Sequence, residues 1–137
     1  MKMNVIMIYD VEEKNLLMCL RSKEPYKGLY NLVGGKVEEG EDDIECAYRE
    51  LEEETGISKD DIKLTHLMDM NYHLLENSLQ IYVGKLNKEV VLKEEANKLY
   101  WISLDEDFFD LTKYAGEGNI GHMVEQVKKY REVCFKK

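Results

Sequence analysis

Apolar positions cluster in short runs along most of the chain, and helical spacing replaces that pattern in two places. Val5 to Tyr9 and Leu16 to Leu20 read as strands. The polar Asp10 to Asn15 segment between them predicts a hairpin. Leu29 to Val33 is a further strand-like run, stopped by Gly34-Gly35. Between Asp42 and Thr55 the period changes: Ile44, Ala47, Tyr48 and Leu51 fall at i, i+3, i+4 and i+7 and form one apolar stripe. Asp42, with Glu45 three residues on, forms a capping-box pairing at the start of this helix, and Gly56 supplies the stop. Ile62 to Leu75 and Leu79 to Leu86 read as long strands joined by Glu76-Asn77-Ser78, and Leu99 to Ile102 as another strand. Leu104 to Leu111 is expected to form a short helix. Ile120 to Val133, with Met123, Val124, Val127 and Tyr130 at helical spacing, is expected to form a closing one. This order predicts an α/β fold, a mixed sheet flanked by helices, in one domain over residues 1–137.

Composition narrows the class. A chain of 137 residues, 44% hydrophobic with nine Tyr, has enough apolar content for a core and is not wholly disordered. Its net charge of −9 argues against a nucleic-acid polymer or an anionic membrane as partner. No apolar run approaches the ~20 residues of a membrane span. The N-terminal run is too short for a signal peptide and no small-residue cleavage site follows it. Cys19, Cys46 and Cys134 are odd in number and far apart, with no C-x-x-C spacing, so buried free thiols and a cytoplasmic location are expected.

The acid is concentrated. Glu38 to Glu54 holds ten acids and one base, Arg49, while the 18 acids and 18 bases elsewhere cancel. Glu50, Glu53 and Glu54 share one helical face at i, i+3 and i+4. Like charges so placed cost roughly 0.2–0.5 kcal/mol per pair. They also lie in the helix's C-terminal half, where the macrodipole favours cations. A hard divalent cation reverses the sign of that cost, since carboxylate oxygens suit Mg²⁺ or Mn²⁺. Arg49 can reach Glu45 at i−4 or Glu53 at i+4, and Gly34-Gly35 lets backbone approach a ligand closely. A solvated acidic face is the plain alternative. A calcium loop is excluded, because no D-x-D-x-D-G run exists.

The full spacing runs Gly35, five residues, Glu41, seven residues, then Arg49-Glu50-Leu51-Glu52-Glu53-Glu54-Thr55-Gly56-Ile57. It resembles the Nudix box, G-x5-E-x7-R-E-U-x-E-E-x-G-U with U a bulky aliphatic, and every specified position is filled. Outside the box the likeness is weak, and Val33 stands where many Nudix proteins have proline.

The resemblance to the Nudix family, in its MutT-like form, implies an α/β/α sandwich around a mixed sheet. It also implies a metal-dependent hydrolase that cleaves a pyrophosphate bond in a nucleoside-diphosphate-linked substrate. Carried over, Glu50, Glu53 and Glu54 are metal ligands, Gly35 offers its carbonyl, Arg49 orients Glu50, and Glu41 is a supporting acid. Glu50 or Glu53 takes the proton of the attacking water. Glu95, six residues before Trp101, matches an additional metal ligand or base that MutT-like proteins carry before a Trp-bearing strand. Asn119 matches their purine-reading asparagine, and it is equally placed to cap the closing helix. Tyr30, Tyr72 and Tyr82 are candidates for base stacking or for core. His66, His73 and His122 have no metal-ligand spacing. The expected cofactor is Mg²⁺, or Mn²⁺. The expected partner is a small-molecule nucleotide, first a nucleoside triphosphate, including an oxidised purine nucleotide. Alternatives are ADP-ribose, a dinucleotide or a nucleotide-sugar, or a non-catalytic nucleotide sensor on the same fold. The family also admits a homodimer.

Overall fold

The computed structural model describes residues 1–136. Its strands are β1 (Lys2–Tyr9), β2 (Asn15–Leu20), β3 (Tyr30–Asn31), β4 (Val33–Lys36), β5 (Thr65–Tyr72), β6 (Asn77–Lys85) and β7 (Lys98–Ser103). Its helices are α1 (Asp43–Thr55), α2 (Asn119–Lys129) and α3 (Arg131–Cys134).

The strands form one mixed sheet with β1 at its centre. β6 runs parallel to β1 from Lys2↔Ser78 to Tyr9↔Lys85. The other edge of β1 is divided. β4 pairs with it antiparallel over Met3↔Lys36 to Ile6↔Val33, and β2 meets it only at Tyr9↔Leu16. The expected β1–β2 hairpin is therefore a splayed one, whose second strand pairs mainly with β7, from Asn15↔Ser103 to Leu20↔Lys98. β5 closes the far edge, antiparallel to β6.

Alternation along β1 and β2 sends side chains to two cores. Ile6, Ile8, Leu17 and Cys19 pack under α1 with Ala47 and Leu51. Met7, Tyr9, Leu16 and Met18 pack under α2 with Ile120, Met123, Val124 and Val127. The result is an α/β/α sandwich. Leu51 is fully buried, so Leu51→Ala would cost about 2–5 kcal/mol.

α1 follows the sequence expectation closely. The Asp42 side chain accepts from Glu45 N–H, and Gly56 closes the helix in the left-handed region at φ 81°. The Glu45 side chain does not complete the box; it pairs with Lys59 at 2.6 Å. Buried Thr55 continues the cap: its hydroxyl donates to the Leu51 carbonyl at 2.7 Å and accepts from Ile57 N–H at 3.1 Å.

Four expectations are corrected. Gly34-Gly35 does not stop a strand but lies within β4. Leu104 to Leu111 is a series of turns, because Asp107 accepts from Phe109 N–H at 3.0 Å and Asp110 from Thr112 N–H at 2.9 Å, local bonds that compete with helix. The closing helix is broken at Tyr130 into α2 and α3. Ile62 to Leu64 lies outside β5, and His73–Leu75 is a 3₁₀ turn rather than strand.

Candidate active site

The box folds so that its glycine strand lies against its acidic helix. β4 runs beside β1, and Gly35 comes to rest under α1. A Cβ at Gly35 would collide with the Glu50 carboxyl. The absent side chain is thus the space that Glu50 fills. On the other side of the same residue, Gly35 N–H donates to Asn4 Oδ1 at 2.9 Å.

Arg49 organises the acids. Its Nε and Nη2 donate to the two oxygens of Glu41 at 2.7 and 3.0 Å, a bidentate pair. Its Nη1 donates to Glu53 at 3.0 Å and lies 3.2 Å from Glu50 Oε1. The sequence left Glu45 and Glu53 as candidate partners; the structure selects Glu53, since Glu45 is held by Lys59. Glu41 supports the site through Arg49, its bidentate partner. The guanidinium beside it lowers the Glu41 pKa to about 2. The Glu50 carboxyl is shifted up, first by burial.

Glu54 points elsewhere. It is half-buried and accepts from Gly34 N–H at 3.4 Å. Burial, with the neighbouring charges of Glu50 and Glu53, pushes its pKa up to about 7, against the lowering effect of that N–H. As the side chains stand, no three His, Cys, Asp or Glu groups among the described residues converge closely enough to hold an ion. The donor set nevertheless fits a hard divalent cation. It is all oxygen, its carboxylates lie in the C-terminal half of one helix, and the bare Gly35 backbone lies against the Glu50 carboxyl.

A cleft of about 620 Å³ opens beside this end of the sheet. Gly34, Gly35, Glu54, Asn4 and Arg21 line it, and so do Tyr72 and Asn119. Asn119 Nδ2 donates to Tyr72 Oη at 2.9 Å. Asn119 is not the helix cap; that position belongs to Gly118, at φ 91°. Of the three tyrosines singled out, only Tyr72 lines the cleft. Tyr82 is core, and Tyr30 packs on Tyr100 and Tyr114.

Glu95 is exposed in the loop before β7 and does not line the cleft, although Asn97 does. That loop is tied to the end of α1, where Lys93 N–H donates to the Thr55 carbonyl at 2.8 Å. His66 pairs with Asp69 at 2.6 Å, and none of the three histidines lines the cleft. The residues that sequence reading did not single out are Asn4, Arg21, Tyr26 and Glu117, the last two joined through the Tyr26 hydroxyl at 2.8 and 2.9 Å. Asn4 had one visible signal: it is an amide among the apolar residues Met3, Val5 and Ile6.

The fold has many solved relatives. The chain is 24% identical to C. elegans Ap4A hydrolase, with a TM-score of 0.70 over 94% of this chain and 96% of that one. It is 16% identical to the NUDIX domain of Shewanella oneidensis NrtR complexed with ADP ribose, with a TM-score of 0.72 over 95% and 87%. It is 20% identical to the E. coli dihydroneopterin triphosphate pyrophosphohydrolase, with a TM-score of 0.70 over 91% and 92%. These likenesses establish the shared architecture. A family model described as the NUDIX domain matches residues 2–120, and the whole box lies inside that match. The chain belongs to the NUDIX domain family.

Proposed function

We propose that this chain is a divalent-metal-dependent hydrolase that splits a pyrophosphate bond in a nucleoside-diphosphate-linked substrate, first a nucleoside triphosphate, including an oxidised purine nucleotide. The observation that carries the reading is the Arg49 hub: one guanidinium reaches Glu41, Glu50 and Glu53 at 2.7 to 3.2 Å, on a helix docked against Gly35.

Glu50, Glu53 and Glu54, with the Gly35 carbonyl, would hold the cation, Mg²⁺ or Mn²⁺. When bound, the cation neutralises phosphate oxygens, polarises phosphorus and makes water more acidic. Without it, the −9 segment would repel a polyanion. Arg49 holds Glu50 and Glu53 in fixed orientations. Glu50 or Glu53 accepts the proton of the attacking water, and Glu95 is the alternative base or a further ligand. Asn119, with one N–H given to Tyr72, keeps its carbonyl and second N–H for a purine edge. Free, buried Cys19, Cys46 and Cys134 suit a reduced compartment such as the cytoplasm.

A second substrate reading is ADP-ribose, a dinucleotide or a nucleotide-sugar. The volume of the cleft, about 620 Å³, leaves room for it, and solved relatives include an ADP-ribose complex and an Ap4A hydrolase. The deciding experiment is turnover of a nucleotide panel in ¹⁸O-labelled water with Mg²⁺, products identified by mass. Label in one phosphate product identifies the attacked phosphorus and the substrate class. Equal turnover by the wild type and Glu53→Gln on every active substrate would refute the mechanism.

A further inference from the structure

We propose that Asn4 is a positioning residue for the metal site, acting through the Gly35 backbone; this rests on the reading of Gly35 and Glu50 given above. Asn4 lies on the face of β1 that also carries Ile6 and Ile8, a row otherwise packed into the apolar core under α1. It is 1% exposed. An amide in such a row costs stability unless its polar atoms are used, and both of them are. Oδ1 accepts from Gly35 N–H at 2.9 Å, and Nδ2 donates to Cys46 Sγ at 3.5 Å.

Those two contacts tie together the three elements that make the site. Asn4 is on β1, Gly35 on β4 and Cys46 on α1. Cys46 Sγ also receives Arg49 Nη2 at 3.5 Å, so the same sulfur joins the Asn4 amide to the guanidinium that holds Glu41, Glu50 and Glu53. Gly35 in turn presents its bare Cα to the Glu50 carboxyl. An aliphatic side chain at position 4 would continue the core row and leave the Gly35 N–H without this acceptor. The amide therefore fixes the height of the Gly35 peptide against Glu50. It contacts no substrate atom in this assignment.

The test reads cation binding directly, by the electron paramagnetic resonance of Mn²⁺ titrated into the protein without nucleotide. Asn4→Ala is expected to weaken Mn²⁺ binding by about tenfold or more, the usual size of such an outer contact. Asn4→Asp keeps an acceptor oxygen for Gly35 N–H and is expected to hold Mn²⁺ within about threefold of wild type or more tightly. Gln80→Leu removes another buried amide, one bonded to Asp43 at 2.8 Å, and serves as the matched control for lost stability. It is expected to lower Tm and leave Mn²⁺ affinity unchanged. The inference is overturned if Asn4→Ala binds Mn²⁺ as wild type does, or if Gln80→Leu weakens binding as much. Should Asn4→Ala not fold, a tenfold loss in Asn4→Asp would overturn it instead. Failure of the wild type itself to bind Mn²⁺ would remove the underlying metal reading, an outcome distinct from all of these.

Discussion

Arg49 grips Glu41 with two parallel hydrogen bonds, Nε to Oε2 at 2.7 Å and Nη2 to Oε1 at 3.0 Å. They stand eight positions apart, and Glu41 lies before the helix while Arg49 lies within it. The pair therefore clamps the loop leading from β4 onto α1, and it leaves Nη1 free for Glu50 and Glu53.

Arg49→Lys retains the charge and loses the fork. A lysine cannot hold Glu41 bidentately while reaching Glu53. Turnover is expected to fall about 10- to 100-fold, the range for displaced supporting contacts, with a smaller change in Tm. Steady-state kinetics beside a melting curve will separate the two.

Gly35→Ala separates packing from chemistry more sharply. The new methyl meets the Glu50 carboxyl, the free end of a flexible side chain, which can swing aside. The fold is expected to survive, because β4 keeps its pairing with β1. Activity is expected to drop by about 100-fold or more, as small misplacements of catalytic groups do. Circular dichroism and kcat/KM on the same sample check both halves.

Tyr72→Phe removes the hydroxyl that accepts from Asn119 Nδ2 at 2.9 Å. If Asn119 reads the base, its amide loses orientation, and KM is expected to rise about three- to tenfold, one hydrogen bond's worth, with kcat little changed. An unchanged KM on the preferred substrate would remove Asn119 from the binding site.

Glu13 supplies a pH-dependent stability term well away from the cleft. It accepts from Arg131 Nε and Nη2 at 2.6 and 2.7 Å and from Lys85 at 2.9 Å, stapling the β1–β2 turn to α3 and β6. The Arg131 hydrogen bonds, foremost among several causes, hold its pKa below the ordinary value. A depressed carboxylate contributes stability that is fully present above its unfolded pKa, about 4.3, and is lost as pH falls through the folded one. Arg131 is half-exposed, so the contribution is about 1 kcal/mol or less. Glu13→Gln should lower Tm at pH 7, and the gap from wild type should close as pH drops below about 4. A gap constant down to pH 3 would contradict this.

What could be read without coordinates follows from how local each cause is. The limits of α1 were legible because Asp42 and Gly56 act on their own neighbours. The shared face of Glu50, Glu53 and Glu54 was legible because all three lie on one helix, whose periodicity fixes it. Leu104 to Leu111 failed as a helix because its aspartates bond their own backbone, a competition that apolar spacing does not register. Gly34-Gly35 reads as a stop yet forms strand because its pairing partner, β1, lies some thirty residues away. Asn4 escaped for the same reason: its burial depends on β4 and α1, which the strand's own residues do not encode. The sequence places Asn119 equally well for a cap or for the cleft, because the residue at the cap position, Gly118, and the partner of the amide, Tyr72, depend on the tertiary fold.

The central claim is that the carboxylates at the end of α1 gather a divalent cation beside Gly35 so that a pyrophosphate can dock and be hydrolysed. Crystals soaked with Mn²⁺ and a non-hydrolysable nucleoside triphosphate analogue test it most directly. The account predicts anomalous scattering peaks bridging the phosphates to Glu50, Glu53 or Glu54 and the Gly35 carbonyl, with the base toward Asn119. Bound nucleotide with no peak beside those residues would contradict it.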